Sequence, residues 1–198
     1  MKTTVKLITM FFAVMIISMT GQSQTKWNLD NSHSNVKFTV THLVISEVDG
    51  HFKTFEGSMV SSKPDFTDAK IEFSVDVNSI NTDNEMRDNH LKGDDFFNAE
   101  KFPKMKFSSL GFKKISDKKY ELTGNLTIRD ITKKVKFDVV YGGQTKDPWG
   151  NQKAGFKAKT TINRLEYGLK WNTLTEAGGA VVGPDVDITI NVEFAKEK

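Results

Sequence analysis

The chain has 198 residues, of which 28 are lysine or arginine, 25 are aspartate or glutamate and none is cysteine, and its formal net charge is +3. The lack of cysteine excludes disulfide frameworks, thiol chemistry and thiolate metal sites. Basic and acidic residues alternate along the chain instead of clustering, which argues against a nucleic-acid-binding protein.

The N-terminal segment has the layout of a secretory signal peptide. Lys2 and Lys6 precede an apolar run over residues 7–19, which ends in small and polar residues. The run is shorter than the roughly 20 apolar residues of a membrane span, so we expect no stable membrane insertion. We predict that residues 1–23 are removed, and that residues 24–198 form one periplasmic or secreted domain.

Alternation of apolar and polar residues dominates the rest of the chain. A period of two predicts β-strands with one buried face. The series predicted to face inward are Val36, Phe38, Val40 and His42; Ile71, Phe73, Val75 and Val77; Leu122, Gly124, Leu126 and Ile128; Val135, Phe137, Val139 and Tyr141; Phe156, Ala158, Thr160 and Ile162; and Val186, Ile188, Ile190, Val192 and Phe194.

Turn signals separate these runs and predict antiparallel hairpins. They are Asp49-Gly50, Asp117-Lys118, Gly142-Gly143, Asp147-Pro148-Trp149-Gly150 and Gly178-Gly179. Because helical periodicity is scarce, no helices are available to cover a second sheet face. The pattern therefore predicts a single all-β domain, either a sandwich or a closed up-and-down barrel.

One short helical insertion is predicted over residues 83–92. Thr82 is followed three residues later by Glu85, which is typical of a capping box. Gly93 favours a left-handed stop at the end of the helix. Met86 and His90 are four residues apart, so both side chains are expected on one helical face.

Several longer motifs, taken in order, resemble those of the YceI family of exported bacterial proteins. The matching stretches are "WNLDNSHSNVKFTVTH", "GHFKTFEG", "RDNHLKGDDFFNAEKFPKMKF", "GNLTIRDITKKVKFDV", "DPWGNQKAGFKAKTTINRLEYGL" and "VGPDVDITINVEF". The resemblance extends over essentially all of residues 24–198. One local departure is Asp130, where the family usually has glycine in the segment after "LTI".

The resemblance implies a single antiparallel eight-stranded, lipocalin-like barrel with a short helix near its opening. It also implies a hydrophobic interior that binds a polyisoprenoid or a similar long-chain amphiphile, for sequestration or transport without catalysis. A homodimer is a further expectation of the family. We expect neither a cofactor nor a metal ion.

The predicted ligand-binding residues combine the inward register of the strands with the residues around the helix. Methionine is adaptable and aromatic rings supply large apolar area, which suits a flexible hydrocarbon ligand. The predicted residues are Phe38, Val40, His42, Phe52, Phe73, Val75, Met86, His90, Leu91, Phe96, Phe97, Phe107, Leu126, Phe137, Phe156, Ile162 and Arg164.

Two other functions stay open. The stretch "RDNHLKGDDFF" sets His90 among acidic residues, so an enzyme that acts on a barrel-bound lipid or quinone through His90, His42 or Arg164 is one alternative. No zinc-type spacing such as HExxH accompanies these residues. The other alternative is a stress-related structural protein whose barrel is filled by its own side chains.

Arg164 has two interpretations. It either neutralises an anionic lipid head group at the barrel mouth, since a guanidinium group suits planar anions, or pairs with Glu166 or another acid as an ordinary surface ion pair. Paired surface charges are common, so the second interpretation is favoured.

Overall fold

The computed structural model describes residues 24–174, 176 and 178–198; the predicted signal peptide lies outside the described residues. The strands are β1 (Thr25–Leu29), β2 (Asn35–His42), β3 (Ser46–Phe52), β4 (Phe55–Ser61), β5 (Lys70–Asp76), β6 (Ile80–Asn81), β7 (Lys104–Ser116), β8 (Lys119–Ile128), β9 (Ile131–Lys146), β10 (Gln152–Asn163) and β11 (Val182–Lys196). The α-helix α1 (Glu85–Lys92) connects β6 to β7. Short 3-10 helices span Asn31–His33, Val77–Ser79 and Arg164–Tyr167.

These strands form one closed antiparallel barrel. Around the ring the order is β1-β4-β5-β7-β8-β9-β10-β11, and β11 closes it by pairing with β1. The remaining strands continue this ring at one end: β2 follows β1 along the edge of β11, β3 pairs with β2, and β6 pairs with β3. The barrel therefore has eight strand positions, which confirms the predicted barrel and excludes the sandwich.

The barrel interior is built from the alternating apolar series. On β8, every second residue from Tyr120 to Ile128 is buried, and the residues between them are only partly buried. On β10, Phe156, Ala158 and Ile162 are buried, whereas Lys157 is exposed. Because side chains alternate between the two faces of a strand, a closed sheet collects the apolar series in one core.

The predicted turn at Asp49-Gly50 is wrong, because both residues lie inside β3. Gly50 is buried and stands opposite Phe38 of β2. A Cβ atom on Gly50 would lie 2.2 Å from the Cζ atom of the Phe38 ring. The glycine thus makes room for an aromatic ring, and the chain turns earlier, at residues 43–45.

The predicted turn at Gly142-Gly143 is also wrong. Both glycines lie within β9, where the pairing with β10 shifts register next to Gly155. Gly143 has a φ of 120°, a conformation that favours glycine. The pair therefore forms a β-bulge, a feature that bends a strand without ending it.

The remaining turn signals match the structure. Residues 117–118 connect β7 to β8, residues 147–151 connect β9 to β10, and Gly178-Gly179 lies in the connection between β10 and β11. At the departure from the family pattern, Arg129 and Asp130 form a two-residue turn between β8 and β9. Arg129, with a φ of 57°, takes the left-handed conformation there.

The helix begins later than predicted and has a different cap. Asn84 is the N-cap residue, and its side chain accepts a hydrogen bond from the amide of Arg87 at 3.0 Å. Thr82 is instead buried, and its amide and hydroxyl both donate to Asp88 Oδ1, at 2.9 and 2.6 Å. Gly93 ends the helix with a φ of −69°, so the expected left-handed stop is absent at this residue.

The two ends of the barrel differ. One end, called the helix end below, carries α1, the turns at residues 43–45 and 129–130, and the connection over residues 164–181. At the opposite end, the loop after β4 inserts Phe66, which is 1% exposed and whose ring contacts those of Trp27 and Phe156 at 5.4 and 5.3 Å. This aromatic plug fills the opposite end, so we expect a ligand to enter from the helix end.

Candidate functional site

A cavity of about 190 Å³ lies inside the barrel. Its wall is apolar along its whole length, and β11 illustrates the pattern with five alternating wall residues from Val186 to Phe194. Eight steps of about 3.3 Å give roughly 25 Å of strand along the cavity. Lys37 and Lys106 also border it, but both are exposed residues. The cavity thus suits a long, uncharged chain.

Most of the predicted site residues lie in this wall. The structure places there Phe38, Val40, Phe52, Phe73, Val75, Leu91, Phe96, Phe97, Phe107, Leu126, Phe137, Phe156, Ile162 and Arg164. Their role in binding stays a prediction. They lie on strands around the barrel and at the helix end.

Three predicted residues lie outside the wall. Met86 is 82% exposed, because it projects from the solvent side of α1. His42 is the last residue of β2 and is not part of the wall. His90 lies beside the wall but not in it, with 44% of its side chain exposed. A shared helical face therefore does not bring Met86 and His90 to the cavity.

His90 belongs to an aromatic cluster at the helix end. Its ring contacts Phe96 and Trp171 edge-on, with centroid distances of 5.0 and 5.4 Å. Its Nε2 atom lies 3.2 Å from Asp95 Oδ2, whereas Asp94 pairs with Arg129. Of the three residues proposed for catalysis, only Arg164 reaches the cavity wall.

Arg164 is a buried charged residue of the wall, and it does not pair with Glu166. It is 4% exposed, and its guanidinium group donates to four backbone carbonyl oxygens. The acceptors are those of Gly183 (2.8 Å), Leu169 (2.6 Å), Trp171 (2.8 Å) and Val182 (2.9 Å). Burial lowers the pKa of Arg164 from its usual value. Glu166 instead pairs with Lys133 at 2.9 Å on the surface.

Arg129 ties the helix end together. Its Nη1 atom donates to the carbonyl oxygens of Asp94, Phe96 and Gly168, at 3.2, 3.1 and 2.9 Å. The amide of Trp171 also donates to the carbonyl of Asp95 at 3.2 Å. The segment that follows α1 and the connection between β10 and β11 are thus held against each other over the cavity.

One further charged cluster lies away from the cavity. Asp30, His33 and Glu193 bring their ligand atoms within 4.8 Å of one another. Lys153 Nζ already sits among them, 2.5 Å from Asp30 and 3.1 Å from Glu193. The hydrogen bond from Lys153 lowers the pKa of Asp30, and the same bond raises the pKa of Lys153. The lysine supplies the positive charge, so the cluster is an ion-pair network.

The prediction missed about half of the wall. The additional apolar residues are Val36, Met59, Ile71, Met105, Phe112, Leu122, Ile128, Val139, Ala158, Leu169, Val182, Val186, Ile188, Ile190, Val192 and Phe194. Most belong to the inward series already recognised, so extending the site to every inward residue would have found them. Leu169 and Val182 lie in and just after an irregular connection, where no periodic signal exists.

Comparison with known proteins identifies the family of this barrel. The YceI-like domain matches residues 27–194, which is most of the chain. The chain belongs to the YceI family. The UPF0312 protein of Staphylococcus aureus strain USA300 is 38% identical over 172 residues, covering 86% of this chain and 98% of that protein.

Solved structures show the same fold as this YceI-family chain. The YCEI protein of Campylobacter jejuni is 35% identical, with a TM-score of 0.68 over 80% of this chain and 90% of that one. BcnA of Burkholderia cenocepacia gives a TM-score of 0.71 at 21% identity, over 83% and 98% of the two chains. A polyisoprenoid binding domain of Saccharophagus degradans gives 0.65 at 12% identity, over 86% and 98%. The last two likenesses concern the fold alone.

Proposed function

We propose that this protein is an exported, non-enzymatic carrier that sequesters or transports a polyisoprenoid or a similar long-chain amphiphile inside its barrel. The observation that carries the proposal is the continuous apolar wall around the cavity. The Saccharophagus degradans domain, which shares the fold, is described as polyisoprenoid binding. A ligand of that kind fits a narrow apolar cavity that runs along the barrel.

The energetics favour an apolar chain over a polar ligand. Each buried methylene group contributes about 0.8 kcal/mol, so several isoprene units outweigh the cost of ordering the ligand. Apart from Arg164, the cavity wall has no buried charged residue among those described, and four backbone carbonyls already engage the Arg164 guanidinium group. A filled-core structural protein is disfavoured by the cavity volume of about 190 Å³.

Export remains part of the proposal and rests on the sequence. Residues 1–23 have the signal-peptide layout described above. The described part of the chain contains no helix with the length and apolarity of a membrane span. We expect the protein isolated from its own cells to lack these residues and to be found in the periplasmic or secreted fraction.

The first experiment is native mass spectrometry of the mature protein purified from its export compartment, followed by organic extraction and identification of the released compound. A stoichiometric prenyl lipid or quinone, recovered chemically unchanged, is the expected result. The same mass measurement locates the signal cleavage site. A ligand-free mass that persists after incubation with a lipid extract would contradict the carrier function.

A matched pair of variants tests the cavity itself. Ala158 lines the cavity on β10, whereas the next residue, Lys159, is exposed on the outer face. Ala158→Leu fills part of the interior and should reduce the retained lipid at least tenfold, whereas Lys159→Leu should retain it. Equal lipid content in the two variants would show that the ligand binds elsewhere.

A further inference from the structure

The turn between β2 and β3 carries an exposed apolar tip. Leu43, Val44 and Ile45 follow one another at this turn and are 39%, 67% and 85% exposed. None of the three lines the cavity. Scattered single apolar residues are ordinary on protein surfaces, but a contiguous exposed group marks an interaction site.

The backbone of the tip does not explain these residues. Leu43 and Val44 have φ values of 52° and 67°, and the amide of Ile45 donates to the carbonyl of His42 at 3.2 Å. A tight turn with two left-handed central residues favours asparagine and glycine. A β-branched side chain such as that of Val44 is unfavourable there. The tip thus carries aliphatic side chains against the preference of its own turn.

The tip is fixed to the helix end of the cavity. The amide of Leu43 donates to the carbonyl of Val181 at 2.9 Å, and the neighbouring Val182 lines the cavity. Val40, three residues before the tip, lines it as well. The β2–β3 hairpin also extends beyond β6, because β6 pairs with β3 only at residues 51 and 52. The aliphatic tip therefore projects beside the end of the barrel through which a ligand would enter.

From this arrangement we propose that Leu43, Val44 and Ile45 insert into the surface of a phospholipid bilayer and place the cavity where it can exchange its lipid. The proposal rests on the carrier function given above. A convex tip of three side chains is too small for a stable protein interface, which buries about 1,000 Å² or more. Insertion into the interfacial region requires only the apolar surface of the tip itself.

The charges near the tip indicate which bilayer it binds. Over residues 41–47 the only ionisable groups besides His42 belong to Glu47, and no lysine or arginine is present. Binding to anionic lipids requires clusters of basic residues. The insertion is therefore apolar, so it proceeds on neutral phosphatidylcholine and is insensitive to salt.

A triple variant tests the role of the tip in membrane binding without disturbing the fold. In Leu43→Asn/Val44→Gly/Ile45→Thr, the first two residues suit the left-handed turn, so the variant should be at least as stable as the wild type. We expect the wild type to float with neutral phosphatidylcholine vesicles equally at low and high salt. The variant should lose vesicle binding by about tenfold or more, because the buried aliphatic area is removed.

Trp149 supplies the matched control. It is 82% exposed and lies in the turn between β9 and β10, at the opposite end of the barrel. Trp149→Ser should leave vesicle binding unchanged. Loss of flotation in Trp149→Ser, or unchanged flotation in the triple variant, would overturn the proposal. A change in sedimentation of the triple variant with unchanged flotation would assign the tip to a second copy of the chain instead.

Equilibrium binding of the polyprenol solanesol in detergent distinguishes this inference from the proposed function. We expect the triple variant to bind solanesol as the wild type does, because the cavity is untouched. A wild type that binds solanesol but does not float would refute the membrane contact alone. A wild type that floats but retains neither solanesol nor any co-purified lipid would refute the carrier function and leave the membrane contact supported.

Discussion

At the residue scale, glycines facing aromatic rings shape the barrel wall. Gly50, Gly57 and Gly124 each stand so close to a phenylalanine ring that a Cβ atom would fall within 2.6 Å of it. The rings opposite Gly50 and Gly57 are those of Phe38 and Phe73, both of which line the cavity. These glycines therefore let large rings lie across the strands while the interior stays hollow.

We expect Gly50→Ala to lower the free energy of unfolding by about 1–3 kcal/mol, the usual cost of overpacking. In a Phe38→Leu background the same change should cost less than about 0.5 kcal/mol, because the ring is absent. Urea unfolding of the four proteins measures this coupling. Gly155→Ala is the control, since no atom lies within 4 Å of its added Cβ; equal costs in both backgrounds would disprove the ring contact.

Arg164 is the second residue whose role can be measured. Arg164→Leu removes the donor from four backbone carbonyl oxygens, one buried and three partly buried, so we expect a loss of about 3 kcal/mol or more in the free energy of unfolding. Glu166→Gln should change it by less than about 0.5 kcal/mol, because the pair with Lys133 is exposed. Similar effects of the two substitutions on urea unfolding would restore the surface-pair interpretation.

At the element scale, an ion-pair network stabilises the break between β1 and β2. Asp30 caps the 3-10 helix that separates the two strands, and its side chain accepts from the amide of Ser32 at 3.1 Å. Lys153 of β10 and Glu193 of β11 complete the network, with Lys153 only 14% exposed. The network thus links the junction of β1 and β2, which share one barrel position, to β11 beside it and to β10 beyond.

The pKa shifts give this network a defined pH dependence. The pKa of Asp30 is lowered from 3.8, so its contribution to stability is present above about pH 4 and is lost as the pH falls through the folded value. The pKa of Lys153 is raised from 10.5, so its contribution is present below about pH 10.5 and is lost as the pH rises through the folded value. The network is complete between these limits.

We expect Lys153→Met to lower the free energy of unfolding by about 1–3 kcal/mol at pH 7, since two carboxylates lose their partly buried partner. The difference from the wild type should be smaller at pH 3, which is below the ordinary pKa of 3.8, because Asp30 then takes up a proton in the unfolded chain. Chemical unfolding at both pH values measures it. Lys26→Met, which removes an exposed pair with Glu197, is the control and should cost under about 0.5 kcal/mol. A difference that does not depend on pH would exclude the electrostatic origin.

At the scale of the whole molecule, the cavity links ligand binding to stability. A hollow apolar interior is less favourable than a filled one, because its lining atoms lack contact partners. A ligand that binds only the folded barrel stabilises it by about 2.7 kcal/mol at a free concentration one hundred times its dissociation constant. The empty and the loaded protein should therefore unfold at different temperatures.

Removal of the bound lipid should lower the Tm by about 5–10 °C, since 1 kcal/mol corresponds to about 2–4 °C in a domain of this size. Calorimetry of the protein before and after organic extraction and refolding measures the change, and adding back the extracted lipid should reverse it. Ala158→Leu, whose cavity is partly filled, should show a smaller shift. An identical Tm with and without lipid would contradict binding inside the barrel.

The fold could be predicted to a large extent, whereas the site could be predicted only in part. The alternating series on β5, β8 and β9 identified the inward faces, and the wall residues Phe73, Leu126 and Phe137 came directly from them. Spacing within the helix was a weaker guide. It predicted that Met86 and His90 share a helical face, but it did not predict whether that face points to the cavity or to solvent. Asp49-Gly50 and Gly142-Gly143 resemble turn signals, but glycine also occurs inside strands. Gly50 makes room for the Phe38 ring, and Gly142-Gly143 forms a β-bulge.

The sequence by itself determined that alternating strands bury one apolar face, because the twofold period of a strand is a local property of the chain. Only the tertiary structure decided which groups meet across the barrel. Arg164 finds its acceptors at Leu169, Trp171, Val182 and Gly183, and Lys153 finds Asp30 across more than a hundred residues. Such contacts depend on how the sheet closes, and closure is set by the pairing of strands that are distant in the chain.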